Sequence, residues 1–239
     1  MDAQLRRVDQ LAPRAHTRPD WLDEAPTNIS VSDELPVARQ TLFPEVGSRH
    51  ILSASLSTLR LGTQIDIPAL IERQVRMQTL IELPRLAETT LDRGCQLLLD
   101  YSDSMIPFRD DLAALTRQVV SVAGEANVEI FRFEEDPVGA RRWSAQRRRL
   151  PWAPRQRPVL VATGFGRLGT EPAATLTPEW QSFADRCREE GSPLLILVPW
   201  PRIRWPRFPR AYPTLIHWNE STTVAMVLNK ILAKRALPK

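Results

Sequence analysis

Apolar and polar positions fall into two regimes along the chain. From residue 95 onward, short apolar runs alternate with segments whose apolar residues recur at helical spacing. Gln96–Leu99 reads as a strand. Phe108–Val122 then reads as a helix, with Leu112, Leu115, Val119 and Val122 on one face and Gly124 placed for a C-terminal cap. Val128–Phe133 and Val159–Ala162 are two further strands. Thr177, Pro178 and Glu179 supply the cap, first-turn proline and first-turn acid of a second helix, which Gly191 ends. Trp180, Phe183, Ala184 and Cys187 line its apolar face. Leu194–Val198 and Leu215–His217 complete five strands. Ser221 is placed to cap a last helix bearing Val224, Val227, Leu228 and Ile231.

Short apolar strands alternating with amphipathic helices predict a parallel sheet covered on both faces. Before residue 95 the pattern is weaker. Residues 1–40 carry Pro13, Pro19, Pro26 and Pro36 with little periodicity and read as an arm, anchored by Trp21 and Leu22. Residues 41–94 read as an accessory layer packed on the main domain. Within it, helices are expected over Ile51–Leu61 and Ile67–Met77, the second capped by Asp66, and a strand over Leu80–Leu83. The main domain is expected to span 95–239.

In a parallel sheet of this kind, ligands sit beyond the C-terminal strand ends. Those ends carry Asp100; Glu134, Glu135 and Asp136; Thr163 and Gly164; Trp200; and Asn219 with Glu220. After the first strand, Asp100, Ser102 and Ser104 stand at alternating positions, so one carboxylate and two hydroxyls can converge. Such hard oxygen donors suit Mg²⁺. Equally, they can cap the next helix and satisfy loop amides.

The triplet resembles the D-x-S-x-S loop of von Willebrand factor A domains, in strand–loop–helix context. Over roughly residues 95–235 that resemblance implies a Rossmann-like three-layer sandwich and a metal-ion-dependent adhesion site. Asp100, Ser102 and Ser104 would then be Mg²⁺ ligands, and a partner's carboxylate would fill an open position. The match is partial, because Thr163 stands where the family carries an aspartate. The longer segment Leu83–Leu112 is similar to bacterial A-domain proteins that partner ATPases in multi-component defence systems. It implies a non-enzymatic adaptor with a protein partner, an ATPase among the candidates.

The net charge of +4 is unevenly spread. Residues 1–94 carry a net −2, residues 95–140 a net −6 and residues 141–239 a net +12. Two segments concentrate the positive charge. One holds Arg141, Arg142, Arg147, Arg148, Arg149, Arg155 and Arg157 with Trp143 and Trp152. The other holds Arg202, Arg204, Arg207 and Arg210 with Trp200, Trp205 and Phe208. Both follow strands whose C-terminal ends should share one rim. Arginine beside aromatics suits an acidic protein groove or a nucleic acid, and it also suits simple pairing with the acidic block.

Other chemistry is excluded by what the chain lacks. No run approaches the roughly 18 apolar residues of a membrane span, and Met1–Gln10 has no apolar core of a signal peptide. Cys95 and Cys187 read as buried free thiols, which fits a cytoplasmic protein. Neither these nor the three histidines have zinc-ligand spacing. G-x-S-x-G is absent. Gly164, Gly166 and Gly169 form a G-x-G-x-x-G, but Pro172 and Pro178 interrupt the helix such a dinucleotide motif requires.

Overall fold

The computed structural model describes residues 41–43, 47–134, 136–142, 151–166, 176–208 and 212–235. The expected arm over residues 1–40 lies outside them. Five helices are α1 (Ser48–Leu56), α2 (Ile67–Val75), α3 (Arg109–Ala123), α4 (Pro178–Glu189) and α5 (Val224–Arg235). Eight strands are β1 (Thr58–Ile65), β2 (Arg85–Thr90), β3 (Cys95–Asp100), β4 (Val128–Phe133), β5 (Arg141–Arg142), β6 (Val159–Ala162), β7 (Leu194–Val198) and β8 (Thr214–His217). Six of these form one sheet in the order β5-β4-β3-β6-β7-β8, parallel except for β5. The result is a Rossmann-like α/β layer structure.

The apolar runs explain the layering. Cys95, Leu97, Leu99, Leu160, Ala162, Leu195 and Leu197 pack on one face of the sheet against Ile51 and Leu52 of α1, Leu112, Leu115 and Val119 of α3, and Val227 of α5. Leu98, Phe131, Phe133, Val159, Val161, Leu194 and Ile196 pack on the other against Trp180, Phe183, Ala184 and Cys187 of α4. The connection β3–α3–β4 runs one way across the sheet and β6–α4–β7 the other. With right-handed crossovers, opposite directions put α3 and α4 on opposite faces.

Helix ends follow local chemistry. Thr177 Oγ1 accepts the Trp180 amide at the start of α4, and Gly124, with φ 84°, closes α3. Gly94 turns tightly into β3 with φ 63°, and a Cβ there would lie 2.1 Å from the Asn127 carbonyl oxygen. Both thiols are free and buried. Burial pushes each up to about 12, which leaves them unreactive. Among the described residues, no helix is long and apolar enough to cross a membrane.

Several expectations need correction. The helix expected over Ile51–Leu61 ends at Leu56, because Thr58–Leu61 pair antiparallel with Ala87–Thr90. Leu80–Leu83 is not a strand; the strand is Arg85–Thr90, whose exposed faces carry no apolar alternation. The last helix is capped by Thr223, whose Oγ1 accepts the Met226 amide, while Ser221 bonds Asn219. β5 is a sixth strand that two arginines gave no reason to expect. Among the described residues of the accessory region, α1 and Phe43 are built into the sandwich core. No residue of α2 is buried, and in β1 only Thr58 and Gly62 are.

Leu160, at 0% exposure in the middle of the sheet, tests the packing. Leu160→Ala should lower the unfolding free energy by about 2–5 kcal/mol in urea titrations, with the denaturant slope unchanged. A loss below about 1 kcal/mol would contradict a close-packed core at this position.

Candidate functional site

Parallel pairing sets the geometry of the site. Leu99 is in register with Ala162, so the next residues, Asp100 and Thr163, leave β3 and β6 side by side. β3 and β6 are also the adjacent strands from which the crossovers depart in opposite directions. Their C-terminal ends therefore open the crevice in which open α/β sheets take ligands.

Asp100 is 1% exposed at the floor of this crevice. Its Oδ1 accepts the Ser102 amide at 2.8 Å. Its Oδ2 accepts the Thr163 hydroxyl at 2.7 Å and the Gly164 amide at 3.3 Å. Thr163 Oγ1 in turn accepts the Phe165 amide at 2.8 Å, so its proton is directed at Asp100. Burial raises the Asp100 carboxyl above its ordinary value; the bonds from Thr163, Ser102 and Gly164 oppose that rise without cancelling it.

The serines serve differently. Ser102 starts the short 3-10 helix Asp103–Phe108, yet its side chain makes no capping bond. Instead Ser102 Oγ and Ser104 Oγ lie 2.9 Å apart. An octahedron of bonds about 2.1 Å long has edges of about 3.0 Å, so this hydroxyl pair matches one edge of a Mg²⁺ coordination shell. The charge supply is smaller than that of an ordinary divalent-cation site. Asp100 is the buried carboxylate here, and among the described residues no group of three or more His, Cys, Asp or Glu side chains is placed to hold a metal. Asp136 is spent on the Gly139 amide, and Glu135 lies outside the described residues. The oxygens of Asp100, Ser102, Ser104 and Thr163 are of the type a hard cation takes, and the Ser102–Ser104 pair has the spacing of one coordination edge.

The crevice wall is made by Gly164 and Trp200. A Cβ on Gly164 would stand 2.5 Å from Ser104 Oγ and 2.9 Å from Trp200 Nε1, so only glycine lets both side chains pack this closely on the β6 loop. The Trp200 indole N–H is buried and has no hydrogen-bond partner among the described residues. Phe108 meets the Trp200 ring edge-on at 5.2 Å, and the Arg204 guanidinium lies 4.9 Å over it. Beyond them, Ile106 and Ile203 are exposed by 58% and 77%. Sequence reasoning placed Thr163 where the A-domain family carries an aspartate and Trp200 among the rim arginines, but did not join either to Asp100 or Ser104. The signal was positional, since each directly follows a fully apolar strand or sits two residues beyond one.

The described arginines of the two segments do not share a rim. β5 runs antiparallel to β4 and carries the chain back toward the opposite end of the sheet. There Arg142 and Arg155 both pair with Glu129, near the start of β4, at 3.6 and 3.1 Å. Trp152, expected as a partner contact, is 2% exposed. Its indole donates to Gln96 Oε1 at 3.2 Å and its ring packs on Phe183 at 4.6 Å, so it belongs to the core beneath α4. Arg141 is exposed, and Arg147, Arg148 and Arg149 lie outside the described residues.

Arg202, Arg204, Trp205 and Arg207 do stand beyond β7. Trp205 donates to the Trp200 carbonyl at 2.7 Å and stacks near His217 and Lys230. His217 and Lys230 are both held below their ordinary values, first by burial and next by the Arg202 charge. This corner of the rim is crowded with positive charge. No family model matches the chain, and no characterised protein or solved structure shows significant similarity to it.

The raised Asp100 carboxyl fixes a pH dependence. Native Asp100 keeps its proton where the unfolded chain, titrating near 3.8, has lost it. Its contribution to stability therefore falls as pH rises from 3.8 through the raised native value, and is level above that. Urea titrations between roughly pH 3.5 and 7 should show the wild-type advantage over Asp100→Asn shrinking as pH rises. An advantage that grows with pH would mean that the hydrogen bonds outweigh burial.

Proposed function

We propose that this chain is a non-enzymatic interaction module, von Willebrand A-like in plan, which takes an acidic side chain of a protein partner at the crevice between β3 and β6. The observation that carries the reading is the pairing of the Ser102 and Ser104 hydroxyls at 2.9 Å beside the buried Asp100 carboxylate. Neither hydroxyl caps a helix; they bond each other, Ser102 also bonds Asp100, and Ser104 is 0% exposed, so a cation must displace these bonds to reach them. With one carboxylate, the oxygens hold Mg²⁺ weakly on their own. A partner carboxylate supplies the second negative charge, so cation and partner bind cooperatively. The cation, when bound, supplies a positive charge that a buried carboxylate and neutral hydroxyls cannot.

The surroundings favour a protein over a nucleic acid. Exposed Ile106 and Ile203, half-buried Trp200 and Trp205, and the Arg202 and Arg204 guanidiniums have the composition of a protein-binding hot spot. A nucleic acid would want one continuous basic track. The described arginines instead divide between opposite ends of the sheet, and two of them share Glu129. The likeness of Leu83–Leu112 to bacterial A-domain proteins supports an adaptor role beside an ATPase.

Calorimetric titration with Mn²⁺ as probe, with and without acetate as the carboxylate, tests this. Wild type should bind in the millimolar range alone, as low-charge oxygen sites do, and at least about threefold more tightly with acetate. Asp100→Ala should bind in neither condition. Equal, negligible heats for wild type and variant in acetate would reject the reading.

A further inference from the structure

The unit from β1 through α2 to β2 is an incomplete piece of structure. A two-stranded sheet is marginal by itself, and a nine-residue helix is too short to persist without tertiary contacts. Yet α2 buries none of its residues. Its apolar positions are regular: Ile67, Ile71 and Val75 recur every fourth residue and are exposed by 61%, 57% and 78%. Met77 and Ile81 follow at 94% and 91%, and Leu61 on β1 stands at 72%. Ten of the fifteen large apolar side chains that are exposed among the described residues fall between Leu59 and Leu86.

We infer that this unit is a self-association surface, covered by the same unit of a second copy around a two-fold axis. Area and charge select that occupant. If a fully exposed aliphatic side chain offers roughly 100 Å² of apolar area, the ten together present roughly 600 Å². One side of a homodimer interface needs about 800 Å², about 65% of it apolar, so the supply matches the requirement. The charges are balanced: Thr58–Thr90 holds four arginines and four acids. On α2 both signs alternate, with Glu72 beside Arg73 and Arg76. An isologous contact brings a surface against itself, so it requires this balance. An anionic membrane or a nucleic acid would select a net positive face, which the unit lacks. The surface is separate from the Asp100 crevice, and the inference holds or fails independently of the role proposed there.

Light scattering coupled to size exclusion on the full chain reads the outcome. Wild type should run at twice 27.2 kDa. Ile71→Glu and Leu61→Glu should each weaken the dimer on the order of 100-fold, because the symmetry sets the new charges in mutual burial. No tryptophan lies between residues 58 and 90, so unchanged tryptophan fluorescence shows that the sandwich remains folded in both variants. Val75→Cys offers a second check: oxidation should cross-link wild-type-like dimers through that thiol, since Cys95 and Cys187 are buried. A wild-type chain that is monomeric at micromolar concentration overturns the inference. So does a dimer that survives both glutamate variants.

Discussion

One buried carboxylate ties the centre of this protein together. Asp100 ends β3 under the crevice, and its two oxygens collect the Ser102 amide, the Thr163 hydroxyl and the Gly164 amide. A lone carboxylate at 1% exposure is expensive unless its lone pairs are filled. Filling them joins the β3 loop to the β6 loop at the point where the crossovers part. The Ser102–Ser104 segment is thereby held against the Gly164 turn, and the hydroxyl pair is presented beside a charge. Without Asp100 the two loops share no such anchor, and the crevice has no defined floor.

The same bonds account for the chemical character of the site. Bonds from Thr163, Ser102 and Gly164 favour the charged form of Asp100, but burial outweighs them and its proton affinity is raised. Such a group is a poor general base toward a substrate it cannot reach. It is better suited to orienting neutral ligands around an incoming cation. The rim beyond β7 adds Arg202, His217 and Lys230, whose crowding raises the cost of each charge and lowers the last two proton affinities. Acidic groups brought by a partner would relieve that crowding.

Much of the fold was legible because its strands are buried on both faces. Gln96–Leu99, Val159–Ala162 and Leu194–Val198 stand where the apolar runs placed them, and every residue of each is buried. Legibility ended where exposure began. β2 carries Arg85, Leu86 and Glu88 on open faces, so no alternation marked it. Trp152 reads in sequence like any tryptophan among arginines; its burial depends on the Gln96 side chain, fifty-six positions earlier, accepting its indole proton. The direction of the Arg141–Arg157 segment likewise depended on β5, two residues whose pairing with Phe131 and Arg132 only the folded chain defines. At the site, Asp100 and the serines were found by spacing, whereas the role of Thr163 required the β3–β6 register.

The most direct measurement is a crystal structure of the full chain grown with Mn²⁺ and acetate, with the metal located by anomalous scattering. A peak within bonding distance of Ser102 Oγ and Ser104 Oγ, about 2.1–2.2 Å, with acetate on its open side, is the predicted result. Manganese bound elsewhere while the Ser102–Ser104 hydroxyl bond persists at 2.9 Å would contradict it.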